Sequence, residues 1–385
     1  MLSDMHPLYD DRIYWKECIS LKENGFDVVH IGVGNTKSDS LSKEGIRLIS
    51  VTRKKFTKNI YLDILIRKLI YRNRLYKDLY TVAREQKSDF YNIHDLKTAR
   101  LISRLKALPH KPKVIYSIHE SFPDKIRDYH SSGKFVGLFK NLYASYIDGW
   151  EKKKASGADY IITFDDALHQ KFAMIAGENR VRKIYNFANL FPDEGKKLTR
   201  IYDLIYIGGI NEQRGILNII KAVALCREKL PDIRLLLLGV IYEPYFEKLI
   251  FETIDKLNIK ANVEFKGWVE YTAISDYLSR SKIGMVTWLP IPKFYKNIPI
   301  KQFEYMAFGL PVIGSNLPTI AKFVEPANAG ILVDPENIEM ISSAIIRLLT
   351  DKKYYNTLSN HAKKAARECY NWKSEEKKYL ELFRN

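Results

Sequence analysis

Lys301 and Glu304 stand three residues apart in the stretch NIPIKQFEYMAFGLPVIGSNLPTIAKFVE, Asn297 to Glu325. A lysine in the first turn of a helix, beside free backbone N–H groups and the positive end of the helix dipole, can hold a diphosphate. A carboxylate about one turn further in can accept both hydroxyls of a ribose. The plain alternative is an i,i+3 ion pair on a solvated helix face. Apolar periodicity predicts the helix from about Lys301 to Phe308, stopped by Gly309. A short apolar strand, Pro311–Ile313, and a loop with Gly314, Ser315, Asn316 and Pro318 follow. Together they predict one unit of a parallel α/β sheet, whose ligands sit at the carboxyl ends of the strands.

The pattern PxKxFEYMAxGxPVI, carried by Pro299, Lys301, Phe303–Ala307, Gly309 and Pro311–Ile313, resembles the donor-site motif of family 4 glycosyltransferases. The resemblance implies a retaining enzyme of the GT-B fold: α/β, with two Rossmann-like domains facing across a cleft and a C-terminal helix crossing back to the first domain. It implies an acceptor-side domain over residues 1–195 with a short first strand, a nucleotide-sugar domain over 200–365, and the returning helix over 366–385. In similar enzymes the helix and lysine neutralise the diphosphate, so no metal and no other cofactor is expected.

Several elements must position this chemistry. Strand Asp203–Ile207 leads into Gly208, Gly209 and then Arg214, a turn whose glycines let backbone approach a phosphate while the guanidinium grips it bidentately. The resembled family has an arginine where Gly209 stands and a lysine where Arg214 stands, so Arg214 and Lys301 carry more of the diphosphate charge. The strand Arg234–Leu238 ends at Gly239. Trp268, in Gly267-Trp268-Val269, occupies the family's nucleobase position, where it stacks on a base or simply packs. The family's glutamate pair, eight residues apart, is broken: Lys296 lies eight before Glu304, which favours an acidic sugar or acceptor.

In the first half, Met1–Asp4 is a very short strand followed by HPLYDDR, His6 to Arg12, and a helix Ile13–Glu23. His6, Asp10, Asp11 and Arg12 are acceptor-contact candidates, or Asp10 or Asp11 is a helix cap. Gly32-Val33-Gly34 lacks the third glycine of a dinucleotide fingerprint. Strand Phe90–Ile93 ends at His94 and Asp95, and strand Val114–Ile118 at His119 and Glu120. VIYSIHESFP resembles the family's DxHE segment, which implies that His119 hydrogen-bonds a sugar hydroxyl and shields charge at the anomeric carbon. His94 and Glu120 join the acceptor side, and a structural role for either histidine is the competing reading. Asp165 and Asp166 read as a helix cap in preference to a metal site.

Composition bounds the rest. The 385 residues exceed one ordinary core. No apolar run reaches the roughly 18 residues of a membrane span, and no signal segment opens the chain, so it reads as cytoplasmic. Cys18, Cys226 and Cys369 have no paired spacing and read as buried small hydrophobes. The net charge of +17 is concentrated in residues 1–200, with 37 Lys+Arg against 24 Asp+Glu. Its most basic stretch, residues 53–78, carries nine Lys/Arg among leucines and aromatics. It fits a peripheral contact with an anionic membrane at the inner face of the cytoplasmic membrane, or a domain helix with a solvated basic edge. Nothing suggests a nucleic-acid surface. Expected partners are a nucleotide sugar and a glycan or lipid-linked acceptor. A nucleotide-sugar 2-epimerase and a non-enzymatic basic membrane protein are the alternatives.

Overall fold

The computed structural model describes residues 1–52, 72–128, 134–193 and 198–384. Residues 53–71 of the basic stretch, with Lys54, Lys55, Arg67 and Lys68, lie outside the described residues; its remainder opens the helix Arg72–Glu85. The chain forms two compact units, one of Met1–Asn186 with Glu375–Asn385, the other of Phe187–Ser374.

In the first unit, β1 (Val29–Gly34), β2 (Ser38–Leu41) and β3 (Arg47–Thr52) run in the order β1-β3-β2, and β4 (Phe90–His94), β5 (Lys113–Ile118), β6 (Tyr160–Thr163) and β7 (Val181–Lys183) follow in sequence order. The opening residues join the two groups. Leu2 bridges both Ile31 and Ile93, donating its N–H to Asn92 O at 2.9 Å and accepting from His94 N–H at 2.9 Å. So the very short first strand lies in the middle of the layer, and the loop after it emerges beside the ends of β1 and β4. All pairings are parallel except β2 with β3. The buried faces of Ile93, Val114, Tyr116, Ile161 and Leu168 make the core, which is what continuous apolar strands covered on both sides predict. The helix predicted over Ile13–Glu23 begins as a π-type turn, Ile13–Cys18, and becomes α-helical only over Ile19–Glu23.

The second unit holds one parallel sheet, β8 (Tyr202–Ile207), β9 (Leu235–Leu238), β10 (Val263–Phe265), β11 (Ser281–Val286), β12 (Val312–Ser315) and β13 (Gly330–Val333), ordered β10-β9-β8-β11-β12-β13. The strand order reverses direction at β8, where two successive connections leave on opposite sides. Ligands of such sheets bind at that switch point. Among the described residues no helix is long and apolar enough to cross a membrane. Cys18 and Cys226 are buried as expected, whereas Cys369 is exposed because it closes the surface helix Lys352–Glu368.

Candidate functional site

The second unit gathers its polar chemistry at the carboxyl end of β8. Gly208 follows β8 with φ of 110°, and a Cβ there would lie 3.2 Å from Lys301 Nζ. The amine therefore sits directly on the turn. Gly239, after β9, approaches Gly208 so closely that its Cβ would meet Gly208 O at 2.0 Å. The helix Lys301–Ala307 is buried along its whole length, with Lys301 7% and Glu304 6% exposed. A solvated i,i+3 ion pair is thus excluded. Tyr305 holds the helix to the sheet, its hydroxyl accepting from Ile207 N–H at 3.0 Å.

Lys301 Nζ lies 3.8 Å from the Tyr206 ring centroid and has no hydrogen-bond partner. Burial, then the neighbouring Arg214 charge, push its pKa well below the ordinary lysine range, with Glu304 opposing. Arg214 ends a short turn, Glu212–Arg214, and its guanidinium lies 5.2 Å from the Trp288 ring. Leu289 donates its N–H to Gln213 O at 2.9 Å, and Ser315 Oγ donates to Trp288 O at 2.7 Å, so the Trp288 loop braces the arginine turn. Arg214 Nε, Asn211 Oδ1, Thr287 Oγ1 and Trp288 Nε1 are likewise buried without partners. Buried polar groups are nearly always satisfied. Five such atoms, in the loops that follow β8 and β11 and on the helix Lys301–Ala307, with two of them on basic side chains, mark a place built for a polar anionic ligand.

One expected contributor differs. Pro299 and Ile300 carbonyls already accept from Gln302 N–H at 3.3 Å, Phe303 N–H at 2.9 Å and Glu304 N–H at 3.4 Å. Ile300 takes helical dihedrals, so its carbonyl folds onto the first turn and occupies amides that the sequence offered to phosphate. The first-turn amides of Gln302 and Phe303 are thus engaged, and Lys301 Nζ and Arg214 Nε remain as donors without partners. Trp268 is 69% exposed, and Tyr242, 73% exposed, lies against Gly209. Tyr206, Trp288, Asn211 and Thr287 escaped sequence reasoning, because apolar strand and loop residues carry no polar spacing. Only the strand-end position of Tyr206, two residues before the glycine turn, could have signalled it.

The first unit gathers a second cluster. His6 bridges two carboxylates, Nδ1 to Asp10 at 2.8 Å and Nε2 to Asp95 at 2.7 Å. Burial opposes its charge, yet these two hydrogen bonds prevail and raise it to about 10. Asp10 also accepts from Arg12 N–H at 2.9 Å and Ile13 N–H at 3.0 Å, so it is both cap and ion-pair partner. His94 Nδ1 and His119 Nε2 lie 3.0 Å apart, and His119 stacks on Phe164 with centroids at 4.5 Å. Burial holds both imidazoles neutral, the nearby Arg12 charge adding to this for His119. His119 Nδ1 has no partner. When His94 donates across the pair, that Nδ1 carries the proton and becomes a donor. Glu17, raised to about 8 by burial, accepts from Asn92 Nδ2 at 3.0 Å and lies 3.6 Å from His94 Nε2. The groups His6, Asp95, His119 and Glu17, His94, His119 have ligand atoms within 4.8 Å of one another, here engaged mainly with each other. Asp11 is half-buried beside Arg12, and Glu120 pairs with Lys125 at 3.1 Å on the surface. Asp165 caps its helix, accepting from Leu168 N–H at 2.7 Å.

A pH effect follows from the His6 clamp. Its contribution is fully present below the unfolded value near 6.5 and is lost as pH rises through about 10. Thermal melts of the wild type should therefore fall between pH 7 and 10.5 more steeply than those of His6→Gln. The difference at neutral pH should be roughly 2–3 kcal/mol, that of hydrogen bonds to charged groups. Parallel curves would remove the clamp.

The comparisons come to bear on this geometry. Residues 188–365 match the family model "Glycosyl transferases group 1", a span that contains Gly208, Arg214, Trp288, Lys301 and Glu304. An uncharacterised glycosyltransferase of Methanocaldococcus jannaschii is 24% identical over 315 residues, covering 77% of this chain and 75% of that protein. The O-antigen chain mannosyltransferase B of Escherichia coli is 24% identical over 154 residues, 39% of this chain and 37% of that one. The structure of Anabaena HepE in complex with UDP-glucose aligns with a TM-score of 0.72 at 15% identity, covering 99% of this chain and 98% of that one.

Proposed function

We propose that this chain, a glycosyltransferase of the GT-B fold, moves a sugar from a nucleotide diphosphate to a hydroxyl of a glycan acceptor, with the anomeric configuration retained. The observation that carries this is the partnerless Lys301 amine buried against the Gly208 turn beside Arg214. Two cations in a desolvated pocket favour a ligand with two adjacent phosphates. Glu304 is assigned to the ribose hydroxyls, and Gly208, Gly209 and Gly239 to the backbone surface the phosphates approach. Trp268 is assigned to the nucleobase. On the first unit, neutral His119 is assigned to a sugar hydroxyl, and His6, Asp11, His94 and Glu120 to the acceptor side.

Among the described residues of the second unit's pocket no carboxylate stands as a covalent nucleophile, so the reading is a front-face path. The anomeric C–O bond to the diphosphate breaks, the bond to the acceptor oxygen forms on the same face, and the acceptor proton passes to the leaving phosphate. Lys301 and Arg214 stabilise the charge growing there. The setting we infer is surface-polysaccharide assembly on a lipid-linked acceptor at the inner face of the cytoplasmic membrane, with residues 53–78 touching anionic lipid. The O-antigen and teichuronic acid names among its relatives support it. The reaction needs no metal in this reading. A thermal-shift panel of UDP-, GDP-, ADP- and dTDP-sugars identifies the donor, and proton NMR of the product gives the anomeric configuration. An epimer formed from donor alone would replace transfer by 2-epimerisation.

The same pocket predicts proton-linked binding. Burial and the Arg214 charge lower the Lys301 pKa well below the ordinary lysine range in the free pocket, and a bound diphosphate raises it. The complex then holds more protons than the free protein, so affinity falls as pH rises. Titration calorimetry with UDP in buffers of different ionisation enthalpy should report net proton uptake in the wild type and much less in Lys301→Met. Equal apparent enthalpies in all buffers for the wild type would count against the assignment.

A further inference from the structure

The helix Lys134–Ala155 is turned with its apolar side outward. Leu138, Phe139, Leu142, Tyr143 and Tyr146 are between 56% and 70% exposed, while the buried side carries Ala144, Glu151 and Ala155. At about 100° per residue the five apolar residues share one arc of roughly 140°. The orientation is fixed, because Tyr116 donates its hydroxyl to Glu151 at 2.9 Å and Lys171 Nζ lies 3.7 Å from the same carboxylate. A helix that buries a glutamate and exposes leucine, phenylalanine and tyrosine side by side presents an interaction surface.

We propose that this helix face seats in the headgroup and upper acyl layer of an anionic membrane. Three features select lipid over a protein partner. The exposed residues are leucine, phenylalanine and tyrosine, the types that settle at a membrane interface. Lys153, exposed, falls on the same arc two turns beyond Tyr146, and it belongs to the run Lys152, Lys153, Lys154 that ends the helix. Residues 1–200 carry 13 more basic than acidic side chains, against four more in the remainder (37 minus 24, and 25 minus 21). Each lysine near such a surface adds about 1 kcal/mol, and the apolar arc supplies the part that salt does not screen. This seat needs neither donor nor acceptor to form, so its failure would leave the transfer reading standing.

The full chain, floated with vesicles of phosphatidylcholine alone or mixed with phosphatidylglycerol, tests it. Partitioning to the mixed vesicles should drop at least fivefold in Phe139→Glu/Leu142→Glu and should drop less in the milder Phe139→Ser/Leu142→Ser. Both variants should keep the wild-type circular dichroism spectrum and a cooperative thermal melt, which shows them folded. A polarity-sensitive fluorophore on Leu142→Cys, in a Cys369→Ser background because Cys369 is the exposed native thiol, should shift to the blue only when phosphatidylglycerol vesicles are added. Unchanged partitioning of both variants would overturn the proposal. So would equal binding to both vesicle types, or a fluorophore already blue without vesicles, which would mean that this face is covered by the chain itself or by a second copy.

Discussion

Lys301→Met is expected to lower kcat/KM for sugar transfer by roughly 10²–10³-fold, the range for removing one preorganised donor to a growing negative charge. The same change is expected to leave the thermal midpoint unaltered or raise it. The Lys301 amine is buried and has no hydrogen-bond partner, and burial and Arg214 disfavour its charged form. An unsatisfied buried polar group costs about 1–3 kcal/mol, and methionine fills a similar volume without one. A residue whose removal stabilises the fold while stopping the reaction is kept for its ligand. Lys301→Ala should lose transfer as well, with a small cavity penalty opposing the stability gain. Steady-state kinetics with the matched nucleotide sugar, beside melts of the free proteins, decide the matter: turnover within threefold of wild type would dissolve the assignment.

Gly215→Ala is expected to remove both stability and donor binding. Gly215 has φ of 70°, a conformation that costs an alanine about 1 kcal/mol. Its added Cβ would also lie 2.0 Å from Thr287 O and 3.1 Å from Thr287 Oγ1. Relief requires moving the end of β11 or the turn that carries Arg214. With overpacking of about 1–3 kcal/mol, the total loss is roughly 3 kcal/mol, or about 6–12 °C in the midpoint of a unit this size. Displacing Arg214 from Trp288 should abolish the UDP-induced thermal shift in what remains folded. Gly209→Ala is the contrast for stability: its Cβ meets the exposed Tyr242 ring at 3.3 Å, a side chain that can swing away, so little change in the thermal midpoint is expected. Should the two variants melt alike, the close approach at Gly215 is not what shapes the turn.

Much of the second unit was legible in the sequence. The spacing of Lys301, Glu304 and Gly309 gives the helix and its stop, and the glycines after Ile207 give the turn under the lysine, because both signals are local. The partners were not legible. Tyr206 lies beneath Lys301, and Trp288 flanks Arg214, only because β8 and β11 are neighbours in the sheet, a pairing that no spacing encodes. The helix tip was not legible for a related reason: which of its amides are free depends on the dihedrals of Ile300, which propensity leaves open. In the first unit the strand-end histidines were visible one by one. His6 joining Asp10 to Asp95 required the fold, since 89 residues separate its second contact. The π-type start of the first helix left no mark on the apolar pattern, which differs little between helices of 3.6 and slightly more residues per turn.

The last residues belong to the first unit: Tyr379 accepts from Asn92 Nδ2 at 3.3 Å, and the Phe383 ring lies 5.3 Å from Phe90 and 6.1 Å from Phe26. During synthesis, then, the half made first lacks its contacts to Asn92, Phe90 and Phe26 until residues 375–385 have emerged, whereas the half made second, Phe187–Ser374, is continuous in sequence. The usual N-terminal-first order is thereby interrupted: for that interval chaperones meet a nascent first half whose Phe26 and Phe90 await ring contacts from residues made after the whole second half.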